Sequence, residues 1–227
     1  MNVFVAGATG LTGRFVVEAL RERGVEVWAH VRPDSHRLNE WAEHFSALGA
    51  EVDSTAWTPE TMGSRFEEAP PDLVFSLLGT TKKRQKTHAD GDYMAVDYGM
   101  TAMLIDALEK HSSTRFVYLS SLGTKEGANS AYMKPRWLSE EHLRKSGLPH
   151  MIARPSFILG SRDEPRLGET IGAGVSKFVL GGVGLMGGRR FANRFGSIQG
   201  RDLGYGLVRE ALSWPEDNRT LYSDDLR

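Results

Sequence analysis

The 227-residue chain has no cysteine. That excludes disulfides, thiolate metal sites and a cysteine nucleophile together. It also lacks an excess of either charge: 28 Lys and Arg against 29 Asp and Glu leave a net charge of −1. A nucleic-acid-binding surface would show a basic excess or stripe, so no nucleic-acid partner is expected. The seven histidines are scattered, with no i, i+4 pair and no carboxylate cluster beside them, so no metal site is expected. No apolar run is long and unbroken enough to span a bilayer, and the most apolar stretch, around 171–187, is interrupted by glycines and Lys177. Neither a basic leader nor a cleavage pattern precedes "MNVFVAG", which leads to the expectation of a cytoplasmic protein. The remaining balance, 40% hydrophobic and 25% charged, is that of an ordinary globular chain. Its length suits one α/β domain with a sizeable core.

The pattern along the chain alternates. "NVFVAG" is a short apolar run ending in glycine, as a fully buried strand requires. "LTGRFVVEALRERG" then places Phe15, Val16, Ala19 and Leu20 on one helical face, with Gly24 as the stop. "VEVWAHVR" reads as a second strand, 36–48 as a helix and "AEVDS" as a third strand. "PDLVFSLLG" follows as a fourth strand, and 90–111 as a long amphipathic helix through Met94, Tyr98, Met103, Ile105 and Leu108. "TRFVYLSS" is the fifth strand, 132–146 a helix and "LPHMIARPS" the sixth strand. Near-continuously apolar strands alternating with helices predict a doubly wound parallel sheet covered on both faces, a Rossmann fold of order 3-2-1-4-5-6. A helix over 201–213 and the strand "RTLYS", a seventh, close the fold. Residues 160–200, rich in glycine and arginine, read as a small cap over the carboxyl edge rather than a second domain.

"GATGLTG" lies directly between the first strand and the first helix, with Gly7, Gly10 and Gly13 at GxxGxxG spacing. Glycine turns tightly and lets backbone approach a pyrophosphate, while free N–H groups and the dipole of the helix N-terminus favour the anion. Thr9 and Thr12 add hydroxyl donors, and Leu11 opens the helix. This context points to a dinucleotide site. The end of the second strand selects the ribose: an acid there accepts from the 2′-hydroxyl of NAD, whereas arginine accommodates the 2′-phosphate of NADP. In "AHVRPDS" Arg32 ends the strand and Asp34 follows Pro33. NADP(H) is therefore the expected cofactor and NAD(H) the alternative.

Four stretches carry a narrower resemblance: "GATGLTG", "LLGTTKKRQK", "YLSSLGT" with "AYMKPRW", and "ARPSFILGSRDEPRLGE". Together they resemble the atypical, extended-type short-chain dehydrogenase/reductases, above all the small subgroup like the Tat-interacting oxidoreductase. NmrA-like and epimerase/dehydratase proteins stand further off. The resemblance implies a catalytic serine after the fifth strand, on Ser121 by strand-end alignment with Ser120 as the alternative, and a catalytic tyrosine at Tyr132. It also implies that Leu78, Gly79 and Thr80 pass beneath the cofactor, and that Arg154 and Pro155 border the nicotinamide and substrate.

The departure from the family pattern is at residue 136. Hydride transfer to a carbonyl leaves an alkoxide that needs a proton. Tyrosine, with an ordinary pKa near ~10, supplies it well only beside a cation. In the family a lysine one turn later gives that charge and holds the nicotinamide ribose; here the position is Arg136. Arginine keeps the charge, but it is bulkier, donates through a fork and gives up no proton. Lys134, two residues from Tyr132, faces elsewhere, and Pro135 fits a first helical turn capped by Asn129 or Ser130.

Three activities fit this pattern. The first is a hydride-transferring oxidoreductase acting on a small carbonyl or alcohol: Ser121 orients the substrate oxygen, Tyr132 handles the proton, and Arg136 supports both Tyr132 and the ribose. The second is an NADP(H)-binding regulator or interaction protein without turnover. The third is an epimerase or dehydratase, against which the short cap argues. Basic runs at 82–86 and 187–194 could draw anions to the site or be solvated loops. Asp163, Glu164 and Glu169 are expected to pair with Arg162, Arg166 or other local bases. A homo-oligomer is compatible with the sequence but not implied by it.

Overall fold

The computed structural model describes residues 1–80, 93–160, 196–214 and 218–227. Strand β1 (Asn2–Ala6) leads into helix α1 (Leu11–Arg21), and β2 (Glu26–His30) into α2 (Leu38–Ala47). β3 (Glu51–Asp53) is followed by α3 (Pro59–Glu68), and β4 (Leu73–Ser76) precedes a π-helical turn, Met94–Gly99, that runs into α4 (Met100–Ala107). β5 (Arg115–Leu119), α5 (Met133–Ser146) and β6 (His150–Arg154) come next. Two short strands, β7 (Ile158–Leu159) and β8 (Ile198–Gln199), pair in parallel with each other. α6 (Gly200–Leu212) and β9 (Arg219–Tyr222) complete the order.

The main sheet is parallel, in the order β3-β2-β1-β4-β5-β6-β9. The expected doubly wound order holds, with β9 as the seventh strand. The reason is visible in β1, where alternate residues serve two cores. Val3 and Val5 join the layer that includes Val16, Val17 and Leu20 of α1 and Leu203 and Leu207 of α6. Phe4 and Ala6 join Met62 and Phe66 of α3 with Leu104 and Ile105 of α4 on the other face. A strand with helices on both faces has no solvated side, so its sequence reads as an unbroken apolar run. α1 and α6 approach closely at Gly204, where a Cβ would lie 2.7 Å from Phe15 Cβ.

Helix α3 is absent from the sequence-based expectation, although its start signal is present. Thr58 caps it, accepting from the Thr61 N–H, and Pro59 occupies the first turn. Only Met62 and Phe66 of that helix are buried, too sparse a face for periodicity to reveal. The long helix expected over 90–111 is likewise not uniform: its first described turns are π-helical, which changes which side chains face inward. Of the expected cap, residues 161–195 lie outside the described residues, together with the basic runs at 82–86 and 187–194 and Asp163, Glu164 and Glu169.

Candidate active site

The expected residues lie at the carboxyl ends of β1, β2, β4, β5 and β6 and at the start of α5. The glycine loop closes as only glycine can. Gly7 sits at φ +81°, and a Cβ there would lie 2.7 Å from the Leu77 carbonyl oxygen; on Gly13 it would lie 2.1 Å from that of Gly7. The Gly10 N–H donates to the Gly7 carbonyl at 2.9 Å, and Gly10 caps α1 without a side-chain acceptor. No acidic residue stands in the first turn. The turn's N–H groups therefore meet no side-chain anion of their own, which fits an external phosphate. Thr12 is buried and Thr9 half-buried. Leu11 contributes its backbone to the loop, and its side chain packs against Gly160 and Gly200.

At the end of β2, Arg32 pairs with Asp34 at 3.1 Å, with both side chains at least partly exposed. Such a pair is worth little, ~0–1 kcal/mol, and opens readily to a stronger anion. Beneath it His30 is buried, its Nε2 2.8 Å from the Thr55 carbonyl and its ring beside Phe4 and Trp57. Burial pulls the His30 pKa below its ordinary value, with the bond to Thr55 and the charge of Asp53 partly opposing.

Leu78, Gly79 and Thr80 leave β4 toward the tyrosine helix. Gly79 leaves space at Arg136 and Asp97: a Cβ there would lie 3.7 Å from Arg136 Nη2 and 3.7 Å from Asp97 Oδ1. The Thr80 N–H donates to Asp97 Oδ2 at 2.8 Å. Thr80 Oγ1 is buried with no hydrogen-bond partner among the described residues. Asp97, in the π-helical turn, is only 1% exposed, and its Oδ1 lies 2.8 Å from Arg136 Nη1.

Tyr132 immediately precedes α5 and is 41% exposed. The N-cap is Tyr132 itself, with no side-chain capping bond, rather than the expected Asn129 or Ser130; Ser130 Oγ, two residues earlier, accepts from the Met133 N–H at 3.1 Å. Tyr93 meets the Tyr132 ring edge-on at 5.8 Å. Arg136 lies across that ring with Cζ 3.9 Å from its centroid, and Nη1 donates to the Tyr132 carbonyl at 3.1 Å. Arg136 itself is only 7% exposed. Burial opposes its charge, but attraction from Tyr132, Asp97 and Tyr118 outweighs that and raises its pKa. Its Nε has no hydrogen-bond partner among the described residues. Two orphaned polar atoms, Thr80 Oγ1 and Arg136 Nε, thus stand on residues that share Asp97.

The two serines separate by environment. Ser120 is buried and donates to Glu140 Oε1 at 2.6 Å. Ser121 lies in the following turn, where Thr124 donates back to the Ser121 carbonyl at 2.8 Å. Thr124 also touches the Met133 sulfur, tying the turn to the start of α5.

Glu140 is a residue that the sequence does not single out. It is fully buried and takes Arg154 at 2.9 and 2.5 Å, Arg144 at 2.7 Å and Ser120. Burial pushes its carboxyl up, but these hydrogen bonds outweigh burial and leave it below the ordinary carboxylate range. Arg154 is thereby committed to Glu140, next to Pro155, whose carbonyl accepts from the Leu122 N–H at 2.9 Å. The signal for Glu140 was its place eight residues after Tyr132, on the helical face that Arg136 and Ser139 share.

Residues 7–179 match the model of a family described as NAD(P)H-binding. The chain belongs to that family. Its fold is likewise that of solved structures that hold NAD. The Bordetella bronchiseptica enzyme WbmH in complex with NAD+ superposes with a TM-score of 0.68 at 18% identity, over 98% of this chain and 75% of that one. The Thermus thermophilus UDP-glucose 4-epimerase in complex with NAD gives a TM-score of 0.68 at 18% identity, over 98% and 78%. Likeness at that identity concerns the fold alone.

Among curated proteins, the mitochondrial protein FMP52 of Candida albicans is 29% identical over 80% of this chain and 78% of its own. The chloroplastic protein TIC 62 of rice is 26% identical over 80% of this chain but 40% of its own length. An Arabidopsis thaliana relative, 27% identical over 75% of this chain and 62% of its own, is also chloroplastic. The cytoplasmic expectation is therefore corrected: these relatives are organellar, and an apolar strand at residues 2–6 is a demand of the sheet, not an address. No helix among the described residues is long and apolar enough to cross a membrane.

Proposed function

We propose that the protein is an NADP(H)-preferring oxidoreductase that transfers a hydride between the nicotinamide and a small carbonyl or alcohol. The observation that carries this reading is the placement of Tyr132 against a buried, charge-paired Arg136, one strand away from the Gly79–Thr80 loop. The glycine loop and the N-terminus of α1 would hold the pyrophosphate, and Arg32 would turn from Asp34 to a 2′-phosphate. Thr80 Oγ1 and Arg136 Nε supply donors of the kind that ribose hydroxyls need. The nicotinamide supplies the hydride. Tyr132 gives its phenolic proton to the developing alkoxide, and the Ser121 hydroxyl donates a hydrogen bond that orients the substrate oxygen. Ser120, held on Glu140, fixes the turn that presents Ser121.

A second reading keeps the pocket and loses turnover. It draws on Arg136, whose fork is engaged by Asp97 and the Tyr132 carbonyl where the family pattern has a lysine. The test is thermal stabilisation by NADPH and by NADH, followed by NADPH oxidation on a panel of small aldehydes and ketones. Stabilisation greater with NADPH, together with turnover, is the expected result. Stabilisation without turnover on the panel favours the binder, and no stabilisation by either nucleotide contradicts both.

A further inference from the structure

Asp97 has no part in the reaction as drawn, yet its buried carboxylate bridges the Thr80 loop and Arg136. It lies in the π-helical turn Met94–Gly99, whose wider register interrupts the helix that follows β4. From there its carboxylate reaches two elements at once. Oδ2 accepts the Thr80 N–H at 2.8 Å, and Oδ1 meets Arg136 Nη1 at 2.8 Å. The Asp97 carbonyl oxygen also accepts from Ser139 Oγ at 3.2 Å, one turn further along α5. A buried guanidinium without a counter-ion is strongly disfavoured, and a flexible arginine side chain has many ways to leave.

We propose that Asp97 is a positioning residue that fixes the Arg136 guanidinium against the Tyr132 ring and offsets part of its charge there. The inference rests on the reading of Tyr132 as the proton donor. It deepens that reading by explaining how arginine serves where lysine is expected. A guanidinium 3.9 Å from the ring favours the phenolate, and the Asp97 carboxylate opposes part of that pull. With the Asp97 carboxylate at 2.8 Å, the guanidinium is held in place and part of its charge is offset, while the remainder still acts on Tyr132. The other groups facing this pair leave that balance intact. Tyr93, just before the π-helical turn, meets the Tyr132 ring edge-on, and Tyr118 of β5 is deeply buried, with burial raising its pKa. Glu140, one turn beyond Arg136, is already bound by Arg154 and Arg144. Lys134 is exposed on α5.

The experiment titrates the Tyr132 phenol in the protein without nucleotide or substrate. It follows tyrosinate absorbance as the difference from Tyr132→Phe, in the wild type, in Asp97→Asn, in Arg136→Gln and in the double variant. Asp97→Asn is expected to move the midpoint down by about one pH unit. Arg136→Gln should move it up, and the double variant should return it close to the wild-type midpoint. Should Asp97→Asn not fold, Arg136→Gln against the double variant carries the same comparison, because the Asp97 charge is then the only difference. An unchanged midpoint on removal of the Asp97 charge, in both backgrounds, overturns the proposal. Because no cofactor takes part, that result is distinct from a failure to bind or turn over NADPH.

Discussion

The Arg136 guanidinium lies over the Tyr132 ring, its Cζ 3.9 Å from the ring centroid, while Nη1 is held by the Asp97 carboxylate at 2.8 Å. A lysine ammonium at this position could meet Asp97 or sit over the ring, but as a single point it cannot present one edge and one face together. Arg136→Lys is therefore expected to lower kcat about tenfold while leaving the protein folded. Steady-state kinetics with NADPH and the best carbonyl substrate checks this. Turnover found only in the lysine variant would instead support the binding-protein reading.

Two adjacent acids on α5 should behave very differently. Glu140 is buried among Arg154, Arg144 and Ser120, whereas Glu141 forms an exposed i, i+4 pair with Lys145 at 2.7 Å. Glu140→Gln removes the buried carboxylate that Arg154 and Arg144 share and should cost about 3 kcal/mol of stability. Glu141→Gln should stay within about 0.5 kcal/mol of the wild type. Denaturant unfolding of the two variants separates them.

That contrast also shows where the sequence stops being legible. "SEEHL" offers two consecutive acids, and helical spacing from Arg136 points to Glu140 without saying what it pairs with. That depends on Arg154, which arrives from β6 fourteen residues later. Asp97 was hidden for a related reason. It falls within an amphipathic run that reads as a regular helix, and the π-helical register that turns it inward leaves no periodic mark. The strands were legible because a sheet covered on both faces demands unbroken apolar runs, as in "LVFS" and "RFVYL". The glycine loop was legible because Gly7 and Gly13 are required sterically. Helix α3 carried the cap Thr58 but too few buried residues to declare itself.

Mild acid should destabilise the fold before its carboxylates titrate. Burial holds the pKa of both His30 and His150 below the ordinary histidine value. The unfolded chain therefore binds more protons than the native state just below about pH 6.5, and stability falls as pH drops through that region. Glu140 and Asp53, both held below their ordinary values, keep their stabilisation until the pH falls below the unfolded carboxylate range, and lose it as the folded carboxylates protonate. Melting temperatures from pH 7.5 to 5.5 should fall in the wild type, and less steeply in His30→Gln. A flat profile over that range would contradict the burial of these rings as neutral groups.

Cofactor choice should rest on one half-buried side chain. Arg32→Ala is expected to raise the Kd for NADPH about tenfold or more while leaving that for NADH within about twofold. Calorimetric titration with both nucleotides measures this directly. Equal losses for the two would place Arg32 in a general electrostatic role.

The most direct test is the rate of NADPH oxidation by Tyr132→Phe beside the wild type, with NADPH affinity measured on the same preparations. Tyr132 as the proton donor requires a loss of about 10²-fold or more in kcat with nucleotide binding preserved within about twofold. A Tyr132→Phe variant as fast as the wild type would contradict the account.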